Sequence, residues 1–176
     1  MNEGDKRALL RSSVREFLDF PSPGICFRDI TPILKDPTAF SAAIDLFESY
    51  LRDHFPKIDL IAGLDSRGFL FGPALAQRFG IGFVLIRKKG KLPGPTECVS
   101  YSLEYGKAEI EIQVDAVDPG QKVVIIDDLL ATGGKNIFSS SVHVQRSIEK
   151  EYMSYYVKVN SKGFSGGKKR VIRLSH

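Results

Sequence analysis

Apolar residues recur along the first 134 residues in two patterns, and both end at polar or glycine-rich turns. Residues 59–64, 81–86 and 123–126 are largely continuous apolar runs, which predicts strands buried on both faces of a parallel sheet. Apolar residues at helical spacing predict helices over 5–19, from Asp36 onward and after Gly68. Strands that alternate with helices indicate an α/β fold with an open, mainly parallel sheet.

Shorter segments predict further elements around this sheet. Residues 25–30 predict an extended piece, whose apolar side chains either cover a planar ligand or feed an edge strand into the core. Alternation on both sides of Tyr105-Gly106-Lys107 predicts a hairpin over 100–112. A hairpin above an α/β site often serves as a mobile lid.

Composition narrows the classes of protein to consider. A chain of 176 residues with 43% apolar and 26% charged residues suits one soluble domain with a real core. No apolar run is long enough to cross a bilayer, and the first residues do not form a signal peptide. The two cysteines, Cys26 and Cys98, make neither a disulfide framework nor a zinc cluster, so we expect a cytoplasmic protein.

The charge is unevenly distributed. Residues 135–176 hold nine Lys and Arg against two acids, a net charge of +7, whereas residues 1–134 hold 16 basic and 19 acidic residues, a net charge of −3. The segment after Gly134 also loses the regular apolar pattern. Four serines dilute its helical stripe, residues 152–159 could form a strand, and we expect partial disorder over 162–176.

The candidate chemistry concentrates in residues 123–134, which read Val-Val-Ile-Ile-Asp-Asp-Leu-Leu-Ala-Thr-Gly-Gly. Ligands of open α/β sheets bind beyond the carboxyl ends of the strands, where Asp127 and Asp128 would lie. Carboxylates there can accept hydrogen bonds from ribose hydroxyls. The small residues that follow let backbone N–H groups surround a phosphate; they are Ala131, Thr132, Gly133 and Gly134.

An ordinary strand followed by a tight turn would account for either half of this stretch alone. The ordered combination of acids and a small-residue loop favours a ligand site. The stretch is not a Walker loop, because it lacks the earlier glycine and the Ser or Thr after Lys135. It is not a dinucleotide fingerprint either, because no G-x-G-x-x-G follows the strand.

Two other predicted strand ends carry cations. Arg67 follows the strand over 59–64, so we expect it on the same rim as Asp127. Residues 87–91 hold four cations, which either form a solvated loop or neutralise a pyrophosphate.

Several motifs in one order give the chain a close resemblance to the adenine phosphoribosyltransferases, a branch of the type I phosphoribosyltransferase family. The resemblance spans residues 1 to about 134. The motifs are Phe20-Pro21-x-Pro23-Gly24, Phe27-Arg28-Asp29-Ile30, residues 62–69, Leu85-Ile86-Arg87-Lys88, Lys91-Leu92-Pro93-Gly94, residues 101–106 and the central stretch 123–134.

This resemblance implies a type I phosphoribosyltransferase-like fold with a flexible hairpin lid. It also implies Mg²⁺-dependent transfer of ribose 5-phosphate from phosphoribosyl pyrophosphate to adenine, which gives AMP and pyrophosphate. A homodimer is implied by the resemblance alone. We expect neither a membrane nor a nucleic acid as a partner.

The resemblance also implies a role for each candidate site residue. Asp127 and Asp128 would hold the ribose hydroxyls, directly or through metal-bound water, and Glu104 would assist proton transfer at the purine. Ala131, Thr132, Gly133 and Gly134 would bind the 5-phosphate. Arg67, Arg87, Lys88 and Lys91 would face the pyrophosphate, and Cys26 and Arg28 would lie at adenine.

The chain departs from the family after Gly134, where Lys135 replaces the usual threonine and the family's amphipathic helix is not evident. We therefore expect a core over 1–134 and a divergent basic segment over 135–176. The alternative to an enzyme is a catalytically impaired relative that only binds nucleotide or phosphoribosyl pyrophosphate. A nucleic-acid-binding role for the basic segment is weaker, because Lys168-Lys169-Arg170 lacks interleaved aromatic residues.

Overall fold

The structure is a computed structural model that describes residues 1–103 and 106–127, together with the backbone of 154–159 and 172–173. Side chains are described for residues 1–98 and 109–127. The chain divides into two units, residues 1–56 and the part from Lys57 onward. Within the described ranges, no helix has the length and apolarity needed to cross a membrane.

The first unit begins with helix α1, Glu3–Ser13. A capping box starts it: the Asn2 side chain accepts from the Asp5 N–H at 2.8 Å, and the Asp5 carboxylate accepts from the Asn2 N–H at 3.3 Å. Strand β1, Arg15–Leu18, follows and pairs antiparallel with β2, Cys26–Asp29. The prediction of a helix over 5–19 is therefore wrong beyond Ser13, because pairing with β2 extends the chain there.

Two helices complete this unit. The short helix α2, Thr31–Lys35, was not predicted; helix α3, Pro37–His54, was. Asp36 caps α3 by accepting a hydrogen bond from the Thr38 N–H at 2.8 Å, and Pro37 occupies its first position. The apolar face of α3 is buried at Ala43, Ile44, Phe47 and Leu51 and half-buried at Phe40, in line with the helical spacing of these residues.

The second unit is built on one sheet, in which seven strands are described. The three central strands run parallel: β4, Gly82–Lys88, β3, Leu60–Leu64, and β7, Lys122–Asp127. Helix α4, Gly68–Phe79, connects β3 to β4. The hairpin of β5, Thr96–Leu103, and β6, Gly106–Gln113, adds to β4 in antiparallel fashion.

Alternation along the central strands separates two faces. One face carries Leu60, Ala62, Ile86, Val123 and Ile125, which pack with Ile110 and Ile112 of β6 into one buried cluster. Strand β4 continues two residues beyond the predicted 81–86, so Arg87 and Lys88 belong to the strand and not to the loop after it. The antiparallel ladder with β6 at these two positions accounts for the extension.

Two strands follow β7 in the order of the sheet. Strand β8, Ser154–Val159, runs antiparallel to β7, and β9, Ile172–Arg173, pairs with β8. The order of the described strands across the sheet is β5-β6-β4-β3-β7-β8-β9. The prediction of a strand within 152–159 is confirmed at these positions. The predicted helical stretch between Gly134 and β8, and the disorder predicted over 162–176 apart from β9, lie outside the described residues.

Candidate functional site

The carboxyl ends of the three parallel strands lie side by side. Gly63 of β3 is level with Leu85 of β4 on one side and with Ile126 of β7 on the other. The Asp65 N–H donates to the Ile86 carbonyl at 2.8 Å, which holds the end of β3 against β4. Asp127 is the last residue of β7 and is half-buried. One rim therefore carries Asp65, Arg87 and Asp127 at neighbouring strand ends.

Gly68 brings the first turn of α4 against the end of β7. A Cβ at this position would overlap the carbonyl oxygen of Ile126 and lie 3.2 Å from the backbone of Gly63. Only glycine allows so close an approach of the two backbones. Arg67, half-buried and with a helical backbone, precedes this contact, and Asp127 follows Ile126. The structure thus brings the turn that carries Arg67 to the strand end that carries Asp127.

Arg87 is held at this rim by two partners. Its Nε lies 3.2 Å from Oδ2 of Asp65, and its Nη1 donates to the Lys91 carbonyl at 3.2 Å. The side chains of Arg87 and Asp65 are 33% and 16% exposed, so the pair is partly shielded from water. Asp65 was not among the predicted site residues.

The four cations of residues 87–91 differ in how they are paired. Lys89 Nζ lies 2.9 Å from Glu109 Oε2, and this hydrogen bond raises the pKa of Lys89. Within the described residues, no hydrogen bond or ion pair involves the ammonium group of Lys88 or Lys91, and both side chains are exposed. Strand alternation places Arg87 and Lys88 on opposite faces of β4. Lys88 and Lys91 are thus the two cations that can accept an anionic ligand without breaking a described contact.

A buried acid underlies this loop. Glu111 of β6 is 3% exposed, and its Oε1 accepts from the N–H groups of Lys91 and Leu92, each at 2.8 Å. Burial raises the pKa of Glu111, but hydrogen bonds from backbone N–H groups of Leu92, Gly90 and Lys91 outweigh burial, and the net pKa is lowered. Sequence reasoning missed Glu111, because an acid that alternates with Ile110 and Ile112 is typical of a solvent-facing strand position.

The predicted adenine residues lie on the β1–β2 hairpin of the first unit. Cys26 and Arg28 alternate on β2 and are exposed, and Arg28 Nη2 lies 3.1 Å from Glu16 Oε1 across the hairpin. Among the strands that the structure describes, β2 pairs with β1 in a two-stranded sheet and is not an edge strand of the main sheet. Phe27, between the two candidate residues, packs edge-on against Phe20 at 5.1 Å.

The remaining predicted site residues lie outside the described residues. They are Glu104, Asp128, Ala131, Thr132, Gly133 and Gly134. The hairpin predicted over 100–112 is confirmed in its two strands.

Comparison with known proteins agrees with this architecture. The model of the phosphoribosyl transferase domain matches residues 29–135. Adenine phosphoribosyltransferase from Mus musculus is 65% identical over 135 residues, which cover 76% of this chain and 74% of the mouse protein. The Homo sapiens enzyme is 66% identical over 127 residues, which cover 72% and 71% of the two chains.

Solved structures give the same relationship. Adenine phosphoribosyltransferase from Saccharomyces cerevisiae, crystallised with an imino-altritol bisphosphate and adenine, superposes with a TM-score of 0.72 at 47% identity. The superposition covers 74% of this chain and 76% of the yeast chain. The enzyme from Thermoanaerobacter pseudethanolicus gives 0.68 at 52% identity over 73% of each chain.

The expected fold class is confirmed, since the central strands of the sheet run parallel and the chain superposes on solved adenine phosphoribosyltransferases over about three quarters of its length. The family match covers more than half of the chain, and the curated relatives are matched over more than two thirds of their length. This chain belongs to the type I phosphoribosyltransferase family and, within it, to the adenine phosphoribosyltransferases.

Proposed function

We propose that this chain transfers ribose 5-phosphate from phosphoribosyl pyrophosphate to adenine in purine salvage, with AMP and pyrophosphate as products. The observation that carries the proposal is that an acidic strand end, Asp127 of β7, and a cationic one, Arg87 of β4 with the loop to Lys91, lie at the same edge of the sheet on the two parallel strands that flank β3. Curated proteins that are 65% and 66% identical to this chain carry the name of this enzyme, which favours adenine as the acceptor.

The reaction breaks the bond between ribose C1 and a pyrophosphate oxygen, and the electron pair leaves with the pyrophosphate. The N9 atom of adenine forms the new bond to C1 and loses its proton. Positive charge grows on the sugar and negative charge on the leaving group, so fixed cations lower the barrier. Lys88 and Lys91, whose ammonium groups have no partner in the described structure, suit this task.

We assign the other groups by the same chemistry. Asp127 and Asp128 would accept hydrogen bonds from the ribose hydroxyls, and Arg67 and Arg87 would face the pyrophosphate. Ala131, Thr132, Gly133 and Gly134 would bind the 5-phosphate. Cys26 and Arg28 would contact adenine largely through backbone groups, and Glu104 would take the purine proton and help the hairpin exclude water.

The oxygen ligands at this rim fit Mg²⁺. The described residues contain no group of three or more His, Cys, Asp or Glu that could hold a metal by itself. Mg²⁺ at phosphate-transfer sites keeps several waters and is bound largely by substrate phosphates, and we propose that substrate and water hold the ion near Asp127 and Asp128. When bound, the ion neutralises charge on the departing pyrophosphate.

Three further proposals concern the setting of the reaction. We propose a cytoplasmic location, because Cys26 and Cys98 are both exposed free thiols. A homodimer is proposed from the resemblance, and light scattering after gel filtration tests it. We also propose that residues 1–134 form the catalytic core and that 135–176 are a divergent basic segment.

Formation of AMP from labelled adenine, phosphoribosyl pyrophosphate and Mg²⁺ tests the proposal. Glu104→Ala and Asp127→Asn should each lower kcat by about 10²–10⁴, the range of general acid–base and electrostatic effects. Asp118→Asn, an exposed position in the turn before β7, is the matched control and should stay near the wild-type rate. Folded wild-type protein that binds phosphoribosyl pyrophosphate but forms no AMP would favour the impaired relative instead.

A further inference from the structure

Glu111 is the one buried charged residue among those whose side chains the structure describes. It lies in the middle of β6, with Arg87 of β4 opposite on one side and Cys98 of β5 opposite on the other. A carboxylate removed from water is unfavourable unless hydrogen bonds replace its hydration. The partners of Glu111 therefore indicate what the burial achieves.

Both carboxylate oxygens are occupied. Oε1 accepts from the N–H groups of Lys91 and Leu92 at 2.8 Å, and Oε2 accepts from the Thr96 hydroxyl at 3.2 Å. The Cys98 thiol makes a weaker contact with Oε2 at 3.7 Å. The two N–H donors are on consecutive residues of a loop twenty positions earlier in the chain, so one side chain fixes the orientation of two successive peptide groups.

The backbone of Lys91 is hydrogen-bonded on both sides of its Cα. Its N–H donates to Glu111, and its carbonyl accepts from Arg87 Nη1 at 3.2 Å. Arg87 is in turn held by Asp65 at the end of β3. Gly90 and Gly94, on either side of Lys91, have φ values of +78° and +75°. Glycine adopts such values readily, so the loop can take the turns that bring the Lys91 backbone to these partners. The backbone of Lys91 is thus tied to β3, β4 and β6, while its ammonium group stays exposed.

We propose that Glu111 is a positioning residue for the pyrophosphate group of the donor substrate, and that it acts by fixing the backbone of Lys91. The inference rests on the proposed function, since it concerns the same anion. Glu111 does not touch the substrate. A buried anion that holds a cationic loop keeps Lys91 in place before the substrate arrives, so binding does not have to order the loop.

The experiment compares Glu111→Ala and Glu111→Gln with Glu109→Ala as the matched control. Glu109 lies two residues away on the same strand and pairs with Lys89, so its removal changes loop charge without releasing Lys91. Glutamine keeps an oxygen that accepts the two N–H groups and an amide that can face Thr96. Alanine keeps neither.

We expect Glu111→Ala to raise the KM for phosphoribosyl pyrophosphate about tenfold or more. The Kd of the complex with phosphoribosyl pyrophosphate, measured by calorimetry, should rise by a similar factor, because a small displacement of a group that positions the substrate has an effect of at least this size. The KM for adenine should change by less than about twofold. Glu111→Gln and Glu109→Ala should both stay within about threefold of wild type. The positioning role would be overturned if Glu111→Ala lowered kcat and raised both KM values by the same factor. It would also be overturned if Glu111→Gln raised the KM for phosphoribosyl pyrophosphate as much as Glu111→Ala.

A double-mutant cycle with Lys91→Ala separates positioning from a purely structural effect. If Glu111 acts through Lys91, Glu111→Ala should cost little further donor affinity once the Lys91 side chain is removed. Additive losses would contradict the proposal.

Should Glu111→Ala fail to fold, Thr96→Val provides a milder variant, because it removes only the hydroxyl that donates a hydrogen bond to Oε2. An affinity for phosphoribosyl pyrophosphate lowered about threefold, with the affinity for adenine intact, supports the proposal. Equal weakening of both affinities overturns it.

Two outcomes distinguish this inference from the proposed function. A wild-type chain that makes AMP, paired with a Glu111→Ala variant of unchanged donor affinity, overturns the positioning role alone. A wild-type chain that neither makes AMP nor binds phosphoribosyl pyrophosphate overturns both. Amide hydrogen exchange at Lys91 and Leu92 tests the hydrogen bonds to Glu111 without any ligand. Exchange should be faster in Glu111→Ala than in wild type and unchanged in Glu109→Ala. Equal exchange rates in Glu111→Ala and wild type would also overturn the proposal.

Discussion

The carboxylate of Asp65, just beyond β3, accepts a hydrogen bond from Nε of Arg87, near the end of β4, over 3.2 Å. This pair fixes the guanidinium group whose other side holds the Lys91 carbonyl. A charged acceptor makes a hydrogen bond about twice as strong as a neutral one. The position of Arg87 at the rim therefore depends on the charge of Asp65 as well as on its shape.

Asp65→Asn should weaken this hold without a large change of volume. We expect the KM for phosphoribosyl pyrophosphate to rise about five- to tenfold, with the KM for adenine nearly unchanged. The matched control is Asp59→Asn at the opposite end of the same strand. Asp59 also forms an ion pair, with Lys57 at 2.8 Å, and accepts from the Lys122 N–H at 2.8 Å. That variant should lower the melting temperature and leave both KM values unchanged; the reverse pattern would contradict the assignment.

Gly68→Ala should damage the site through the backbone. A Cβ there meets the carbonyl oxygen of Ile126, and neither α4 nor β7 can move away without disturbing Arg67 or Asp127. We expect a loss of about 2–3 kcal/mol in the free energy of unfolding, the usual cost of overpacking, together with a large fall in kcat. Urea unfolding and steady-state kinetics measure the two effects.

Gly82→Ala is the control for this prediction. Its Cβ would lie 2.9 Å from Cδ1 of Leu60, the far end of a side chain that can rotate away. The free energy of unfolding should change by less than about 1 kcal/mol, and kcat should not change. Equal losses in the two variants would show that the Gly68 contact has no special role.

The stability of the first unit should depend on pH through Asp29. Hydrogen bonds from the Thr31 hydroxyl and the Thr31 N–H, and then from Arg15, lower the pKa of this carboxyl from 3.8 to about 2. Because the folded pKa lies below the unfolded one, the stabilising contribution is complete above pH 4 or so and is lost as the pH falls toward about 2.

Wild type and Asp29→Asn should thus differ in their unfolding midpoints at pH 6, and the difference should shrink steadily below about pH 4. Urea titrations followed by circular dichroism at several pH values measure this difference. Asp53→Asn, which replaces an exposed carboxyl on α3, is measured alongside as the control for removing one surface charge. A constant offset for Asp29→Asn down to the lowest pH would contradict the assignment.

The sequence predicts the parallel strands and most helices because their apolar patterns are local. It fails at Phe17 and Leu18, where helical spacing is overruled by pairing with β2, a partner some ten residues later in the chain. It also fails at Glu111, because the role of that carboxylate depends on backbone N–H groups twenty residues away. Contacts between distant segments leave no periodic signal in either segment.

The candidate site shows the same division. Arg87, Lys88 and Lys91 are predicted from a run of cations after a buried strand, and in the structure Arg87 contacts both Asp65 and the carbonyl of Lys91. The charge run does not indicate that Lys89 is neutralised by Glu109 or that Arg87 supports the backbone of Lys91. These distinctions depend on the register of β4 against β6, in which Arg87 lies opposite Glu111 in the antiparallel ladder.

The difference between Lys91 and Lys89 gives the sharpest test of the cationic loop. The two lysines are two residues apart, and both are exposed. The ammonium group of Lys89 is paired with Glu109, whereas the side chain of Lys91 has no partner within the described structure. Lys91→Met should therefore raise the KM for phosphoribosyl pyrophosphate about ten- to a hundredfold, as expected for a lost charge-assisted contact, whereas Lys89→Met should change it less than about threefold. Added salt should weaken donor binding more in wild type than in Lys91→Met, because one screened attraction is already gone. Equal effects of the two substitutions on KM would mean that the loop attracts the anion by its total charge, and the individual assignment of Lys91 would be wrong.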